Sequence, residues 1–334
     1  MLTKNQKRFI LTYFALLVSF FIWNINQNIF GNAFDVCFIL SLTTFLIIYT
    51  PFEIYWNFQD FWFERWKKIN ADGLNVSKVK ISASKIIRRK PHRLSALLLS
   101  SKDENLTKSK NAVAVICHGF SDTKESLQFF YLPLAFQGYI VLAYDARGTK
   151  GSKKVGKKFQ FLDRIEDYKR IINWIKNHAS LRSKEIISVG FSIGAMTVLC
   201  GSFTDKNVSK IVAISSISNY KKNLRNFNPI VLLNYILRGI SLFPRDEKNN
   251  RLSPYLIMSE LKKTISEEQW RTYANRVLII HARNDKVIKF FNFEQNRNLL
   301  ELSENNSLIL KKGGHSQKKN ELVLVGKTLS FLSN

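Results

Sequence analysis

Gly190-Phe191-Ser192-Ile193-Gly194 decides the reading of this chain, because it follows the apolar run Ile186-Ile187-Ser188-Val189 and opens the helix-forming run Ala195-Met196-Thr197-Val198-Leu199. A β-branched run passing directly into helix formers places Ser192 on a strand-to-helix turn. Such a turn is tight and strained. Glycines on either side tolerate the crowding, and the serine hydroxyl is pushed out at the top of a sheet where a base can reach it.

Three other stretches stand in a definite order around it. Val113-Ala114-Val115-Ile116-Cys117 reads as a buried strand and ends in His118-Gly119-Phe120. Val277-Leu278-Ile279-Ile280-His281-Ala282-Arg283-Asn284-Asp285 is a strand whose exit loop carries a carboxylate, and Gly313-Gly314-His315 follows the strand-like Leu308-Ile309-Leu310. Ser192, Asp285 and His315 therefore run along the chain as hydroxyl, carboxylate and imidazole. A serine hydroxyl is a poor nucleophile at neutral pH until an imidazole takes its proton, and a carboxylate fixes the imidazole tautomer and stabilises the imidazolium that forms.

Residues from about 110 to 332 resemble the α/β-hydrolase superfamily, in its esterase, lipase and serine-peptidase-like branch. Asp145-Ala146-Arg147-Gly148 after the strand Tyr139–Ala143 resembles the D-x-R-G turn of that branch, and Leu252-Ser253-Pro254 fits it as well. The resemblance implies a mostly parallel central sheet with helices on both faces and a small helical cap. It also implies that Ser192, Asp285 and His315 are catalytic, with the backbone N–H groups of Phe120 and Ile193 as the oxyanion hole. The function implied is a serine hydrolase, carboxylesterase or lipase-like, acting on an acyl ester through an acyl-enzyme. A serine peptidase or thioesterase with the same triad, and a non-catalytic lipid-binding scaffold of the same fold, stay open. Two departures loosen the subfamily assignment: Ala282 stands where the family usually has glycine, and Lys150 interrupts the small residues after Arg147-Gly148-Thr149.

Other titratable residues have structural readings. His118 is expected to be structural and His281 to lie in the core or at its rim. Asp145 and Asp167 both precede the serine. Asp145 is expected to pin its own turn, and Asp167 to sit on a helix from Asp163 to Ala179 whose Ile165, Ile171, Ile172 and Ile175 form an apolar face. Five scattered histidines without C-x-x-C or H-E-x-x-H spacing give no metal site to propose, and no cofactor is expected.

The extra length lies at the front. Phe9 to Trp23 and Val36 to Phe52 are runs of fifteen and seventeen residues without charge, slightly short of the roughly 20 residues a membrane helix needs. A second apolar run so soon after the first, and no small-residue cleavage site at Trp23-Asn24-Ile25-Asn26, favour a retained membrane hairpin over a signal peptide, with two independent spans or a packed soluble hairpin as the alternatives. Tyr55, Trp56, Phe58, Phe61, Trp62, Phe63 and Trp66 then read as an interfacial aromatic segment. Lys4, Lys7 and Arg8 before the first run and Arg65, Lys67 and Lys68 after the second place both ends, and the following domain, in the cytoplasm. Cys37, Cys117 and Cys200 have no paired spacing and imply no disulfide framework.

The domain reading is a membrane anchor over 1–68 and a hydrolase domain over 69–334, with a cap insertion at about 218–273. Its apolar run at Pro229–Leu237 reads either as a cap over the serine or as a helix packed on the sheet. Ahead of the core, a strand pair is expected at Lys78–Arg89 and Leu94–Leu99, with a polar turn over Ser100–Lys110.

The formal net charge is +26. Lysines at 150, 153, 154, 157 and 158, at 311, 312, 318 and 319, and Arg283, Lys286 and Lys289 all fall in loops beyond the carboxyl ends of strands. A basic rim around the site would meet an anionic lipid surface or select anionic substrates, unless it is a generally lysine-rich surface. Nucleic acid ranks low as a partner, since the lysine clusters lack a recognisable reading module.

Overall fold

The computed structural model describes residues 4–63, 71–83, 92–225, 229–237 and 239–333. The chain divides into two compact units, Met1–Lys67 and Lys68–Asn334.

In the first unit α1 (Lys4–Asn28) and α2 (Phe34–Phe63) run antiparallel. Arg8 Nε donates to Glu53 Oε2 at 3.0 Å, Ser41 Oγ donates to the Ser19 carbonyl at 3.0 Å, and Trp23 meets Phe34 edge to face at 5.0 Å. Each helix contains a 23-residue stretch, Gln6–Asn28 and Phe34–Trp56, long and apolar enough to cross a membrane by length and composition. The helices reach this length by taking in the polar residues at the ends of the apolar runs. Phe9, Phe20, Phe21, Phe38 and Ile47 point outward and are exposed. Tyr55 and Trp56, expected on a separate interfacial segment, belong to α2 itself, which continues through Pro51. A proline removes one N–H without forcing a stop, and the Arg8–Glu53 pair ties the helix to its neighbour on the far side of it. Arg65, Trp66, Lys67 and Lys68 lie outside the described residues.

The second unit opens with β1 (Leu74–Ser82) and β2 (Arg93–Ser101), antiparallel from the pair Leu74 and Ser101 to the pair Ser82 and Arg93. The first strand thus lies nearer the N-terminus than Lys78–Arg89, and residues 84–91 are outside the described set. The stretch expected as a polar turn contains α3 (Glu104–Lys110). Asp103 caps it by accepting from the amides of Asn105 and Leu106, and Asn111, at φ 44°, ends it. No residue of α3 is buried, so no apolar period marks it in the sequence.

Strands and helices then alternate: β3 (Ala112–Cys117), α4 (Gln128–Phe136), β4 (Ile140–Tyr144), α5 (Phe161–Asn177), β5 (Glu185–Phe191), α6 (Ile193–Ser202) and β6 (Val208–Ile214). Five helices follow before the next strand: α7 (Tyr220–Leu224), α8 (Pro229–Leu237), α9 (Asp246–Leu252), α10 (Pro254–Lys262) and α11 (Glu267–Asn275). The chain closes with β7 (Val277–Ala282), α12 (Phe291–Leu300), β8 (Ser307–Leu310) and α13 (Glu321–Ser333). Among the described residues the sheet has the order β1-β2-β4-β3-β5-β6-β7-β8, parallel from β4 to β8 and antiparallel at β1 and β2.

Both faces of the sheet are covered, which is why β3, β5 and β7 read as unbroken apolar runs. Val113, Val115 and Cys117 pack with Tyr168, Ile172 and Val198 on one side, while Ala112, Ala114 and Ile116 pack with Phe130, Leu134 and Phe331 on the other. A third apolar cluster, with Phe161, Ile193, Met196, Tyr220, Ile240 and Leu252, sits beyond the carboxyl ends of the strands. The insertion between β6 and β7 therefore divides. Residues of α7 and α9 join the cluster over Ile193, whereas α10 and α11 send Met258 and Trp270 into the core beside Phe203 and Phe293.

The order of strands reverses at β3, whose neighbours are β4 and β5, so the crevice beyond these strands is where a fold of this type holds a ligand. Here α6 starts so close to the end of β3 that a Cβ on Gly194 would run into the Cys117 carbonyl, and one on Gly190 would meet the backbone of Gly194 and Ala195. Gly194→Ala is expected to lower stability by about 1–3 kcal/mol, the cost of overpacking a filled site. Gly326→Ala, inside α13 where the added carbon has nothing within 4 Å, should instead raise stability by about 0.5–1 kcal/mol, as alanine does for glycine in a helix interior. Thermal unfolding of the two variants checks the contrast.

Candidate active site

Ser192 occupies the turn between β5 and α6 with φ 56° and ψ −118°, a conformation that side chains beyond Cβ rarely adopt. Its amide donates to the Ile214 carbonyl at 2.9 Å and its carbonyl accepts from Met196, so hydrogen bonds on both sides hold the strained residue. The hydroxyl is thereby directed into the crevice.

His315 comes from the loop after β8 and Asp285 from the loop after β7. Ser192 Oγ lies 2.9 Å from His315 Nε2, and His315 Nδ1 lies 2.8 Å from Asp285 Oδ2. The three groups nominated from the sequence meet in one hydrogen-bonded line. Asp285 Oδ1 accepts from the amides of Val287 and Ile288 at 2.8 and 2.9 Å, which fixes the carboxylate plane. Burial disfavours the Asp285 anion, yet the His315 charge and these hydrogen bonds hold its carboxyl below the ordinary range. For His315 burial opposes the imidazolium, but the Asp285 charge, the hydrogen bond from Nδ1–H to Asp285 and the nearby Asp122 together place its pKa above the ordinary value.

The histidine loop is tied down at both ends. Gly314 N donates to Asn284 Oδ1 at 2.9 Å, joining it to the Asp285 loop, and Gln317 Nε2 donates to Ser215 Oγ at 2.6 Å, joining it to the exit of β6. Gly313 and Gly314 have φ 142° and 58°, which explains the glycine pair that precedes the histidine.

Ile193 is the first residue of α6, so its N–H lies among those that no carbonyl of the helix can reach, at the positive end of the helix dipole. Phe120 follows the end of β3 by three residues, and its ring packs edge to face on Phe161 at 5.8 Å. Gly119 between them brings the loop against the serine: a Cβ there would stand 3.4 Å from Ser192 Cβ. Both nominated amides thus belong to segments flanking Ser192.

His118 is buried and structural. Its Nε2 accepts from the Ala146 amide at 2.9 Å, its Nδ1 lies 2.6 Å from the Gly119 carbonyl, and burial with the Arg164 charge pushes its pKa down to about 3. His281 is also buried, hydrogen-bonded through Nε2 to the Ile288 carbonyl, and held neutral by burial. Asp145 does more than pin its own turn, since it accepts from Lys124 N at 3.1 Å, Lys124 Nζ at 2.6 Å and Gly151 N at 3.0 Å. Asp167, on α5, receives a bidentate pair from Arg147 at 2.8 Å and 2.8 Å, which locks the D-x-R-G turn to that helix.

Two groups near the site are not apparent from the sequence patterns. Arg164, buried on α5, donates Nη2 to the His118 carbonyl at 2.7 Å and so supports the loop that carries Phe120 from beneath. Asp122, in that loop, has Oδ2 2.6 Å from the position a Gly119 Cβ would take. Burial raises its pKa, against the pull of the His315 and Arg164 charges. The signal the sequence offers for Asp122 is an acid two residues past the nominated Phe120 amide. Among the described residues no group of three His, Cys, Asp or Glu is arranged to hold a metal ion.

A family profile described as alpha/beta hydrolase fold matches residues 113–238, from β3 through the Ser192 turn into the insertion after β6. The chain has the α/β-hydrolase fold. Among solved structures, it is similar to an esterase from Pyrococcus furiosus, at 19% identity and TM-score 0.51, over 78% of this chain and 92% of the other. It is also similar to an acylaminoacyl peptidase from Pyrococcus horikoshii, at 15% identity and TM-score 0.54, over 78% of this chain but only 41% of that one. These likenesses establish the fold. Comparison with curated proteins gives no match.

The placement of Asp122 has a measurable consequence for His315. Its charge favours the His315 imidazolium, so Asp122→Asn should move the His315 titration to lower pH wherever Asp122 is ionised in the wild type. Imidazole titration by NMR checks this, and an unchanged midpoint would show that Asp122 stays protonated throughout.

Proposed function

We propose that this protein is a membrane-anchored serine hydrolase that cleaves acyl esters, lipid-derived ones among them, at the cytoplasmic face. The observation that carries the reading is the continuous line from Ser192 Oγ to His315 Nε2 and from His315 Nδ1 to Asp285, at 2.9 and 2.8 Å.

In this mechanism His315 removes the proton of Ser192 Oγ as that oxygen attacks the acyl carbonyl carbon. Asp285 holds the Nδ1–H tautomer and stabilises the imidazolium. The amides of Phe120 and Ile193 receive the developing oxyanion. The imidazolium then protonates the departing alcohol, leaving an acyl-Ser192. Water, deprotonated by His315, releases the acid and restores the hydroxyl. Peptide and thioester substrates would use the same steps, and an inactive lipid-binding scaffold would use none.

The hairpin of α1 and α2 supports the anchor, and the basic residues flanking it support the cytoplasmic side. The exposed lysines of the rim, among them Lys153, Lys154, Lys157, Lys318 and Lys319, suit an anionic surface.

A fluorophosphonate probe should label the wild type at Ser192 and fail to label Ser192→Ala. With an acyl ester substrate Ser192→Ala is expected to lose on the order of a million-fold in kcat, as in enzymes whose triad acts as a unit. Equal turnover by that variant would remove the nucleophile assignment. A panel of acyl esters, thioesters and peptides assayed side by side distinguishes the three chemistries.

His315 must be neutral in the free enzyme to act as base. Its pKa lies above the ordinary value, so kcat/KM should rise with pH through an apparent pKa higher than about 6.5 and fall on acidification below it. A pH profile that is flat across this range would contradict the assignment of the base.

A further inference from the structure

The outer side of the cap carries large apolar side chains open to solvent. On α8, Val231, Leu232 and Tyr235 are half-buried, and Tyr235 packs against the cluster that contains Ile193. Leu233, Ile236 and Leu237 are 55, 58 and 76% exposed. Their spacing of three and four residues puts them on one stripe of the helix. Phe243, 86% exposed, follows in the next loop. A helix that is apolar on its inner and its outer side belongs in an apolar interior, and here only the inner side has one.

The charges around the stripe favour one occupant. Residues 221–251 contain seven basic and two acidic side chains, and one of the acids, Asp246, is engaged by Lys221 at 2.8 Å. Lys222, Arg225 and Arg245 are exposed. A second copy of this chain would bring the same positive field against itself, whereas anionic headgroups would be attracted at about 1 kcal/mol per basic residue near the surface. A knob of leucine, isoleucine and phenylalanine set among basic residues is the composition that lies in a membrane interface.

We propose that the Leu233, Ile236, Leu237 stripe of α8 and Phe243 insert into the interfacial layer of an anionic bilayer and dock the cap, with the Ser192 crevice beneath it, on the membrane. The inference deepens the reading of the chain as a membrane-anchored hydrolase by assigning the surface that meets the lipid. Acyl substrates would then enter from the bilayer instead of through water.

The test uses the full chain bound to vesicles of phosphatidylcholine, with and without phosphatidylglycerol. An environment-sensitive dye is attached through Phe243→Cys on a Cys200→Ser background, Cys37 and Cys117 being buried. The same dye attached through Lys108→Cys, on exposed α3, is the control. Emission at position 243 should shift to the blue and be quenched by doxyl lipids in vesicles containing phosphatidylglycerol. The control position should stay water-like. Replacing Leu233, Ile236 and Leu237 together by serine should reduce the quenching several-fold. Emission at 243 that stays water-like on anionic vesicles overturns the proposal, as does failure of the chain to float with them. A blue shift without lipid that grows with protein concentration identifies a second copy as the occupant and also overturns it. Fluorophosphonate labelling of the same samples reports the hydrolase reading separately: loss of labelling with docking intact sinks that reading alone, and loss of docking with labelling intact sinks this one alone.

Discussion

The site depends on one backbone constraint, a serine held at positive φ where β5 turns into α6. L-residues adopt such a conformation at a cost of roughly 1–3 kcal/mol, so surrounding structure has to enforce it. Two close approaches do so. The Ser192 amide is taken by the carbonyl of Ile214 on the neighbouring strand, and α6 begins against the end of β3, where Gly194 leaves room for the Cys117 carbonyl. The same approach brings the His118-Gly119-Phe120 segment against the serine. Ser192 and the His118-Gly119-Phe120 segment are therefore positioned by a single packing event.

The rest of the site is assembled by loops at the same edge of the sheet. Parallel strands deliver all their exits to one side, and β5, β6, β7 and β8 contribute Ser192, Ser215, Asp285 and His315 respectively. Hydrogen bonds between the loops, Gly314 N to Asn284 Oδ1 and Gln317 Nε2 to Ser215 Oγ, hold His315 at the meeting point of three of these exits. Asp285 and His315 thus keep their register through the loops and not only through their own contact.

Much of this was legible in the sequence because burial on both sheet faces leaves continuous apolar runs, and β3, β5 and β7 show them plainly. The glycines around Ser192 and before His315 were readable for a related reason, since each answers to a backbone requirement. Where the sequence was mute, the determinants were local or long-range polar contacts. Helix α3 rests on the Asp103 cap and buries nothing, so no periodicity announces it. Arg164 and Asp122 matter through partners far along the chain, His118 and His315, and a residue type alone does not reveal such a pairing. The division of the insertion between a cap and two core helices was hidden as well, because Trp270 and Met258 look no different from cap residues until the fold places them under α6 and α12.

The buried imidazole of His118 has a thermodynamic corollary. In the unfolded chain it would accept a proton below about pH 6.5, whereas in the native protein it stays neutral down to about 3. Acid therefore favours the unfolded state over that interval, by about 1.4 kcal/mol for each pH unit below the unfolded value. The acceptor that holds Ala146, and with it the D-x-R-G turn, becomes a proton sink as soon as the fold loosens. Self-repulsion from a net charge of +26 at neutral pH grows in the same direction. The fold thus loses stability as the pH falls below about 6.5.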